Sequence, residues 1–469
     1  MIFVGVDVGK RTHTVCFLGD DGHELARSLR IPHTGAGVRA LQERLAALPG
    51  PKQVVMEASG AHWLGLDRYF RAAGLPVQVV NPLQTAGLRK LGIRKAKTDK
   101  KDARLVADLA RIGRARPSYV PDDAVLQLRD LVRHRWHLSD RVGDAKRRVL
   151  AILDKVFPEF SQQLSDPFGA TGRELLSRGA SAAEFAALDL GELEAGIRRA
   201  SHQQLGRATA EAVQAAAHDS LGVACLGAVA HLEVRGLLAQ IALLEGQIAA
   251  ADALIEQLLA AWPRHVQSLP GVRGMLAATL LAELGDVRRF RRVEEVVAFA
   301  GLDASVFESG EFRGTRQHIS KRGSPHLRRA LYLAARQAVA VDPELAAFMP
   351  RKLAEGKPSR VALIAVSRKL LARVYVVLRD GRPYRIGQRE IEARALGQVA
   401  QEPNPQGTAG GTNPTPAPAC ERRDPSRPES ERSERALTDA ERATDSAGGL
   451  VPRPTSRRKS KAHPLLTSP

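Results

Sequence analysis

The chain opens on IFVGVDV, residues 2–8, an apolar run broken by one carboxylate, Asp7, and followed at once by a second such run, THTVCFLG. Stretches this rich in β-branched residues read as paired strands. The next hundred residues restrict the sheet further. ELARSLRIP reads as a third strand, 37–48 as a helix, KQVVMEAS as a strand, 62–73 as a helix and PVQVVNP as another strand. The order β-β-β-α-β-α-β-α specifies a mixed sheet with helices on its faces, the arrangement of a ribonuclease-H-like domain over residues 1–120.

Beyond residue 120 strand signals nearly vanish. Residues 121–262 read as a helical, coiled-coil region, interrupted by a Gly/Ser/Pro-containing stretch at 158–182. Its last helix carries a heptad, Leu237, Ile241, Leu244, Ile248, Ala251, Ile255 and Leu258, which keeps one apolar seam facing a partner helix. That partner is either the helix beginning near 124 in the same chain or a second copy. Residues 263–384 read as a second compact, basic, mostly helical unit. Residues 385–469 are rich in Pro, Gly, Ser and charge, with few core-forming side chains, and are expected to form a disordered tail.

Charge bears on the partner. Of 469 residues, 70 are Lys or Arg and 51 Asp or Glu, a net +19, which favours a polyanion through phosphate neutralisation and counterion release. The three cysteines have no metal-ligand spacing, and the apolar N-terminus is shorter than a signal peptide. A cytoplasmic protein with no membrane partner is expected, with no run expected to reach the roughly 20 apolar residues of a bilayer span.

Four carboxylates of the first domain are candidates for one site: Asp7 in its strand, Glu57 at the end of the strand in VVMEASG, and Asp99 and Asp102 in KTDKKDARLVADLAR, on one helix face at i, i+3. Clustered acids raise one another's pKa and so call for a cation. Hard oxygen ligands suit Mg²⁺, and a pair of such ions serves phosphoryl transfer. The neighbouring Arg94, Lys95, Lys97, Lys100 and Lys101 would hold a phosphate backbone beside them. An actin-like sugar kinase opens with a similar strand, but the second phosphate loop and the adenosine glycines it needs are missing here.

In the third region, SLPGVRGMLAATLLAELGD resembles a helix-hairpin-helix element whose Pro-Gly turn, at Gly271, would offer backbone N–H groups to phosphate. The stretch 299–332 comes next, with two short strand-like pieces and the cations Arg313, Arg316, Lys321, Arg322 and Arg328. It also holds Ser305, Ser309, Ser320 and Ser324, among which spacing alone does not choose a nucleophile.

VGVDVGK, VVMEASG, VVNP, KTDKKDARLVADLAR, LPGV, FAGL, FESGEFRG and ISKRGSPHLRRALY, in that order, closely resemble the DEDD transposases of insertion sequences, the bridge-RNA-guided recombinases. The resemblance covers residues 1 to about 384. It implies a RuvC-like domain whose acidic tetrad is Asp7, Glu57, Asp99 and Asp102, with Mg²⁺, and a C-terminal transposase domain whose nucleophile falls on Ser309. It further implies cleavage and exchange of donor and target DNA through a phosphoserine intermediate, a non-coding bridge RNA that selects the sites, and dimers that join into tetramers. A hydrolytic junction resolvase or nuclease that uses only the acids is the alternative.

Overall fold

The computed structural model describes residues 1–89, 98–304 and 318–385, and the backbone of 308–309 and 312–313. Arg94, Lys95, Lys97, Arg316 and the tail expected after 385 lie outside the described residues.

Strands β1 (Ile2–Asp7), β2 (Thr12–Leu18), β3 (Glu24–Pro32), β4 (Lys52–Glu57) and β5 (Val77–Val80) form one sheet in the order β3-β2-β1-β4-β5. The first three are antiparallel; β4 runs parallel to β1, and β5 to β4. β1 is central and buried on both faces, which is why IFVGV is apolar without alternation. One face packs Val4, Val6, Phe17 and Met56 against helices α1 (Gly35–Ala46) and α2 (His62–Ala72). The other packs Phe3, Cys16, Leu18 and Val55 against Ala103, Val106 and Ala107 of α4 (Asp99–Arg111), with the short α3 (Pro82–Arg89) beside it. The α4 contact is backbone to backbone: a Cβ built on Gly5 would lie 2.1 Å from the Ala103 carbonyl oxygen. This mixed sheet with helices on both faces is compatible with the ribonuclease-H-like expectation.

Helix α5 (Asp123–Val156) starts on an Asp122 cap that accepts from the Val125 N–H. Four shorter helices come next, α6 (Ala170–Arg178), α7 (Ala182–Ala187), α8 (Leu190–Ala200) and α9 (Arg207–His218), before α10 (Gly227–Leu259) returns. α10 lies antiparallel on α5: Arg135, early in α5, pairs with Asp252, late in α10. The heptad seam therefore closes within the chain. Ile241 and Leu244 share a core with Val142 and Val149 of α5, and Ile255 shares one with Leu128 and Val132. Contrary to the expectation that no run is so long and apolar, α10 is the one helix among the described residues able, by length and composition, to cross a membrane.

The remaining helices, α11 (Gly274–Leu284), α12 (Val293–Ala300), α13 (Pro325–Val341), α14 (Pro343–Ala354) and α15 (Ser359–Asp380), surround one apolar core joined by the start of α5. Between α12 and α13 the two-residue strands β6 (Glu308–Ser309) and β7 (Phe312–Arg313) pair antiparallel, Ser309 opposite Phe312. Ion pairs with at least one buried partner tie the helices around this core. Arg133 of α5 holds both Glu283 oxygens at 2.7 and 2.9 Å, and Arg373 of α15 donates to Asp342 at 2.6 Å with both side chains fully enclosed.

Candidate active site

Asp7 and Glu57 are the last residues of β1 and β4. The register Val6↔Met56 sets them side by side at the carboxyl ends of adjacent parallel strands, roughly 4.8 Å apart in the backbone. Side chains alternate along a strand, and Phe3, Gly5 and Val55 face α4, so Asp7 and Glu57 point to that face too. There α4 begins. Thr98 caps it by accepting from the Lys101 N–H, and Ala103 lies on Gly5, which brings Asp99 and Asp102 to the same edge. Asp99 borders a shallow cleft with Thr14, the strand partner of Asp7, and with Arg27, Arg30 and Lys100.

Two of the four acids are held from α3, a role sequence reading missed. Thr85 is buried, and its hydroxyl donates to Glu57 Oε2 at 2.5 Å. One turn on, Arg89 Nη2 donates to Asp102 Oδ1 at 2.9 Å. The i, i+4 spacing puts both on one helix face. The signal was present in PLQTAGLR, but it is legible only once β4 and α4 are known to flank that helix.

Among the described residues no three His, Cys, Asp or Glu side chains are gathered tightly enough to hold a metal ion. The four acids share an edge, and carboxylates are the hard oxygen ligands that a divalent cation takes. The present partners of Glu57 and Asp102 are a hydroxyl and a guanidinium.

The C-terminal candidates fare differently. Ser309 and Arg313 are described as backbone only, on the β6–β7 hairpin. Its base is pinned by an Ala304↔Ile319 bridge and by Ser320 N–H donating to the Asp303 carbonyl at 2.8 Å. Ser320 also donates from its hydroxyl to the Asp303 carboxylate, and Ser324 caps α13 while donating to Glu283 at 2.9 Å. Those two serines serve the scaffold. Lys321 and Arg322 are exposed beside the hairpin, and Lys321 adopts a positive φ of 53°.

Two of the expected phosphate contacts, Arg328 and Gly271, also make contacts inside the chain. Arg328 turns inward: its Nη1 donates to the carbonyls of Gly323 and Ala300 at 2.7 and 3.1 Å, tying the start of α13 to the end of α12. Gly271 is closely packed. At φ 76° a Cβ there would lie 2.4 Å from the Ala334 carbonyl, so the LPGV turn lets α13 approach, with Leu269 and Val272 in the core on either side. Among the remaining cations Lys101 is exposed, and Lys100 lies 3.3 Å from Glu24.

Within the helical body Glu283 is nearly enclosed. Burial pushes its carboxyl up, but the Arg133 guanidinium, Ser324 and the charge of Arg129 together hold it below the usual carboxylate range. On the opposite face of the sheet His13 is buried with Nε2 2.8 Å from His33 Nδ1, and His62 lies beyond. Burial, then the charges of His33 and His62, push His13 down to about 4.

The chain matches known proteins over both regions. Residues 4–158, which hold all four acids, match a DEDD transposase model of the IS110 type described as "Transposase"; residues 264–350, which hold Ser309, match the "Transposase IS116/IS110/IS902 family". Together the two matches take in just over half of the chain. The chain belongs to the DEDD transposases of insertion sequences. Like its family, this transposase is an enzyme that acts on DNA in recombination. It is 27% identical over 391 residues to the 43.6 kDa protein of insertion element IS110 from Streptomyces coelicolor, covering 82% of this chain and 95% of that one. A pilin gene-inverting protein of Moraxella lacunata is 25% identical over 398 residues, 81% of this chain and 97% of its own. The transposase for insertion sequence element IS1111A of Coxiella burnetii is 25% identical over 390 residues, 82% and 91% of the two chains.

Proposed function

We propose that this transposase cuts and rejoins DNA by serine transesterification, with Ser309 as nucleophile and Asp7, Glu57, Asp99 and Asp102 as the acidic set for Mg²⁺. The observation that carries the reading is the placement of the acids along one edge of the sheet domain, two on neighbouring strand ends and two at the start of the helix laid across them. A bound divalent cation would supply charge neutralisation at the phosphate and lower the cost of developing negative charge. The chain's own residues do the rest. Glu57, kept in place by Thr85, and Asp7, fixed by the strand register, supply preorganised carboxylates; Lys100, Lys101, Lys321 and Arg322 hold the backbone on either side.

Cleavage then forms a bond from Ser309 Oγ to phosphorus and breaks one phosphorus–oxygen bond of the DNA, the leaving oxygen taking up a proton. Rejoining reverses these events with a different strand end. The number of phosphoester bonds is conserved, so no nucleotide hydrolysis is required. The acids stand at the edge of the sheet domain and Ser309 on a hairpin of a separate helical body, which suits an active site assembled from two protomers of a dimer, and of a tetramer during exchange. We assign residues 1–120 as the acidic catalytic domain, 121–262 as the helical connector and 263–384 as the serine domain, in a cytoplasmic enzyme. A non-coding RNA from the element's ends chooses donor and target by base pairing, and the net +19 charge suits a complex with two nucleic acids.

Replacing Ser309 by Ala tests the mechanism. Loss of cleavage together with loss of a covalent protein–DNA adduct is expected, whereas cleavage that survives without an adduct would leave the hydrolytic reading. Recombination of a plasmid carrying the element's ends, with and without the flanking non-coding segment, tests the RNA.

A further inference from the structure

Helix α3 sets one side chain on each of two acids, yet it is itself thinly held. Thr85 is its one buried residue, Leu83 is 63% exposed, and Arg89 ends the helix with its guanidinium on Asp102 Oδ1. The start of the helix is well fastened. Gln84 exchanges two hydrogen bonds of 2.8 Å with the backbone of Arg116, and the Asn81 side chain accepts from the Leu83 N–H. Past Thr85 the attachments are Leu88, packed in part against the α4 core, and Arg89. The Arg89 side chain is 44% exposed, and an ion pair so open to water adds little to stability.

Gly87 lies between Thr85 and Arg89 and adds an independent observation. A Cβ there would meet nothing within 4 Å, so no neighbour requires glycine, and glycine is less stable than alanine in a helix interior. What it supplies is backbone freedom between the turn that holds Glu57 and the turn that carries Arg89. The charges give that freedom a use. Asp102 is one of the acids assigned to a divalent cation, yet its present partner is a cation of the chain itself. A guanidinium and a divalent ion on one carboxylate repel each other, so Arg89 opposes the ion for as long as it stays. A phosphodiester offers the guanidinium an equivalent partner, with the charge and oxygen geometry that arginine matches.

We propose that Arg89 is a resident counter-ion that guards the acidic set. It neutralises Asp102 until the phosphodiester of a bound strand takes the guanidinium over, the last turn of α3 swinging about Gly87, and Asp102 is then open to the divalent cation. The inference rests on the acidic set of the proposed function and deepens it by giving that site a regulation. No covalent bond changes, since one ion pair is exchanged for another. Because the strand removes a competitor of the ion, strand and ion each tighten the other's binding by the same factor. The ion is thereby loaded where there is a strand to cut. A purely supporting role for Arg89, holding Asp102 in place for the ion, makes the opposite prediction: loss of Arg89 would weaken ion binding.

The test is Mn²⁺ binding to the full chain, read as loss of the free-ion signal in electron paramagnetic resonance, which requires no strand cleavage. Without nucleic acid, Arg89→Ala should bind Mn²⁺ at least about fivefold more tightly than the wild type. Its melting temperature should change little, and Arg89→Lys should stay near the wild type in both respects. A short single-stranded oligonucleotide, added as DNA in one arm and as RNA in another, should tighten Mn²⁺ binding to the wild type by a like factor and to Arg89→Ala much less, once the ion held by the oligonucleotide alone is subtracted. Whichever arm tightens the wild type identifies the strand that supplies the phosphate. Gly87→Ala should keep the fold and diminish the oligonucleotide effect. Unchanged or weaker Mn²⁺ binding in Arg89→Ala would overturn the proposal, as would equal tightening in wild type and Arg89→Ala, or none from either strand. Mn²⁺ binding left unchanged by Asp102→Asn would instead remove Asp102 from the acidic set, a failure of the proposed function that takes this inference with it.

Discussion

The sheet and the C-terminal helical body hold their candidate residues in opposite ways. In the sheet the interior is apolar through every strand, and the acids appear only where strands end, so backbone register alone aims Asp7 and Glu57. In the helical body the Ser309 hairpin stands on helices tied by enclosed charge: Glu283 to Arg133 and Ser324, Asp342 to Arg373 and Tyr384. An apolar core tolerates volume-conserving change, whereas a buried ion pair fails when one partner is lost because the other stays charged without its counterion. The helical body should therefore be the more brittle of the two toward single polar substitutions.

The largest effect is expected there. Arg373→Met leaves Asp342 enclosed without its cation and should cost about 3–5 kcal/mol, read as denaturant midpoint; a loss below about 1 kcal/mol would erase the contrast between the regions. The sheet's matching weak point is steric. Gly5→Ala drives a methyl group into the Ala103 carbonyl and should cost about 3 kcal/mol, while Ile31→Leu, a volume-conserving swap in the core of the other face, should cost less than about 1.5 kcal/mol. Smaller again is Thr85→Val, which keeps the shape but removes the hydroxyl from Glu57. We expect about 2 kcal/mol or less in stability, a greater proportional loss of strand cleavage, and recovery of both in Thr85→Ser.

The same contrast explains what could be read from the sequence. The element order of the sheet domain was legible because runs of β-branched residues bounded by turns are local signals, and so is a lone Asp in an apolar run. The pairing of α10 with α5 was half legible: the heptad showed a seam, but a seam does not say whose helix fills it. At Arg328 and Gly271 the contacts inside the chain went unread for a common reason. A cation in a basic stretch and a glycine in a turn look alike whether they face phosphate or a neighbouring carbonyl, and only the approach of α12 or α13 decides. The clamp from α3 and the Glu283 network join residues 13 to 150 positions apart, beyond any periodicity.

His13 is where the sheet breaks its own rule, a titratable ring enclosed on a strand, and it gives the smallest predicted effect. Its folded pKa of about 4 lies below the ordinary 6.5 because burial and two neighbouring histidines disfavour the charged ring. The unfolded chain therefore binds more protons than the folded one between those values, and stability must rise with pH across that window. Acidification from pH 6.5 to 5 should cost about 1 kcal/mol through this group, less than the full shift would give because His33 opens the cluster to water. His13→Gln should flatten that part of the stability profile while leaving the steeper loss at lower pH, where Glu283, held below its usual range, takes up its proton. An unchanged slope between pH 6.5 and 5 in His13→Gln would mean that the sheet carries no titrating weak point, and that acid sensitivity belongs to the helical body alone.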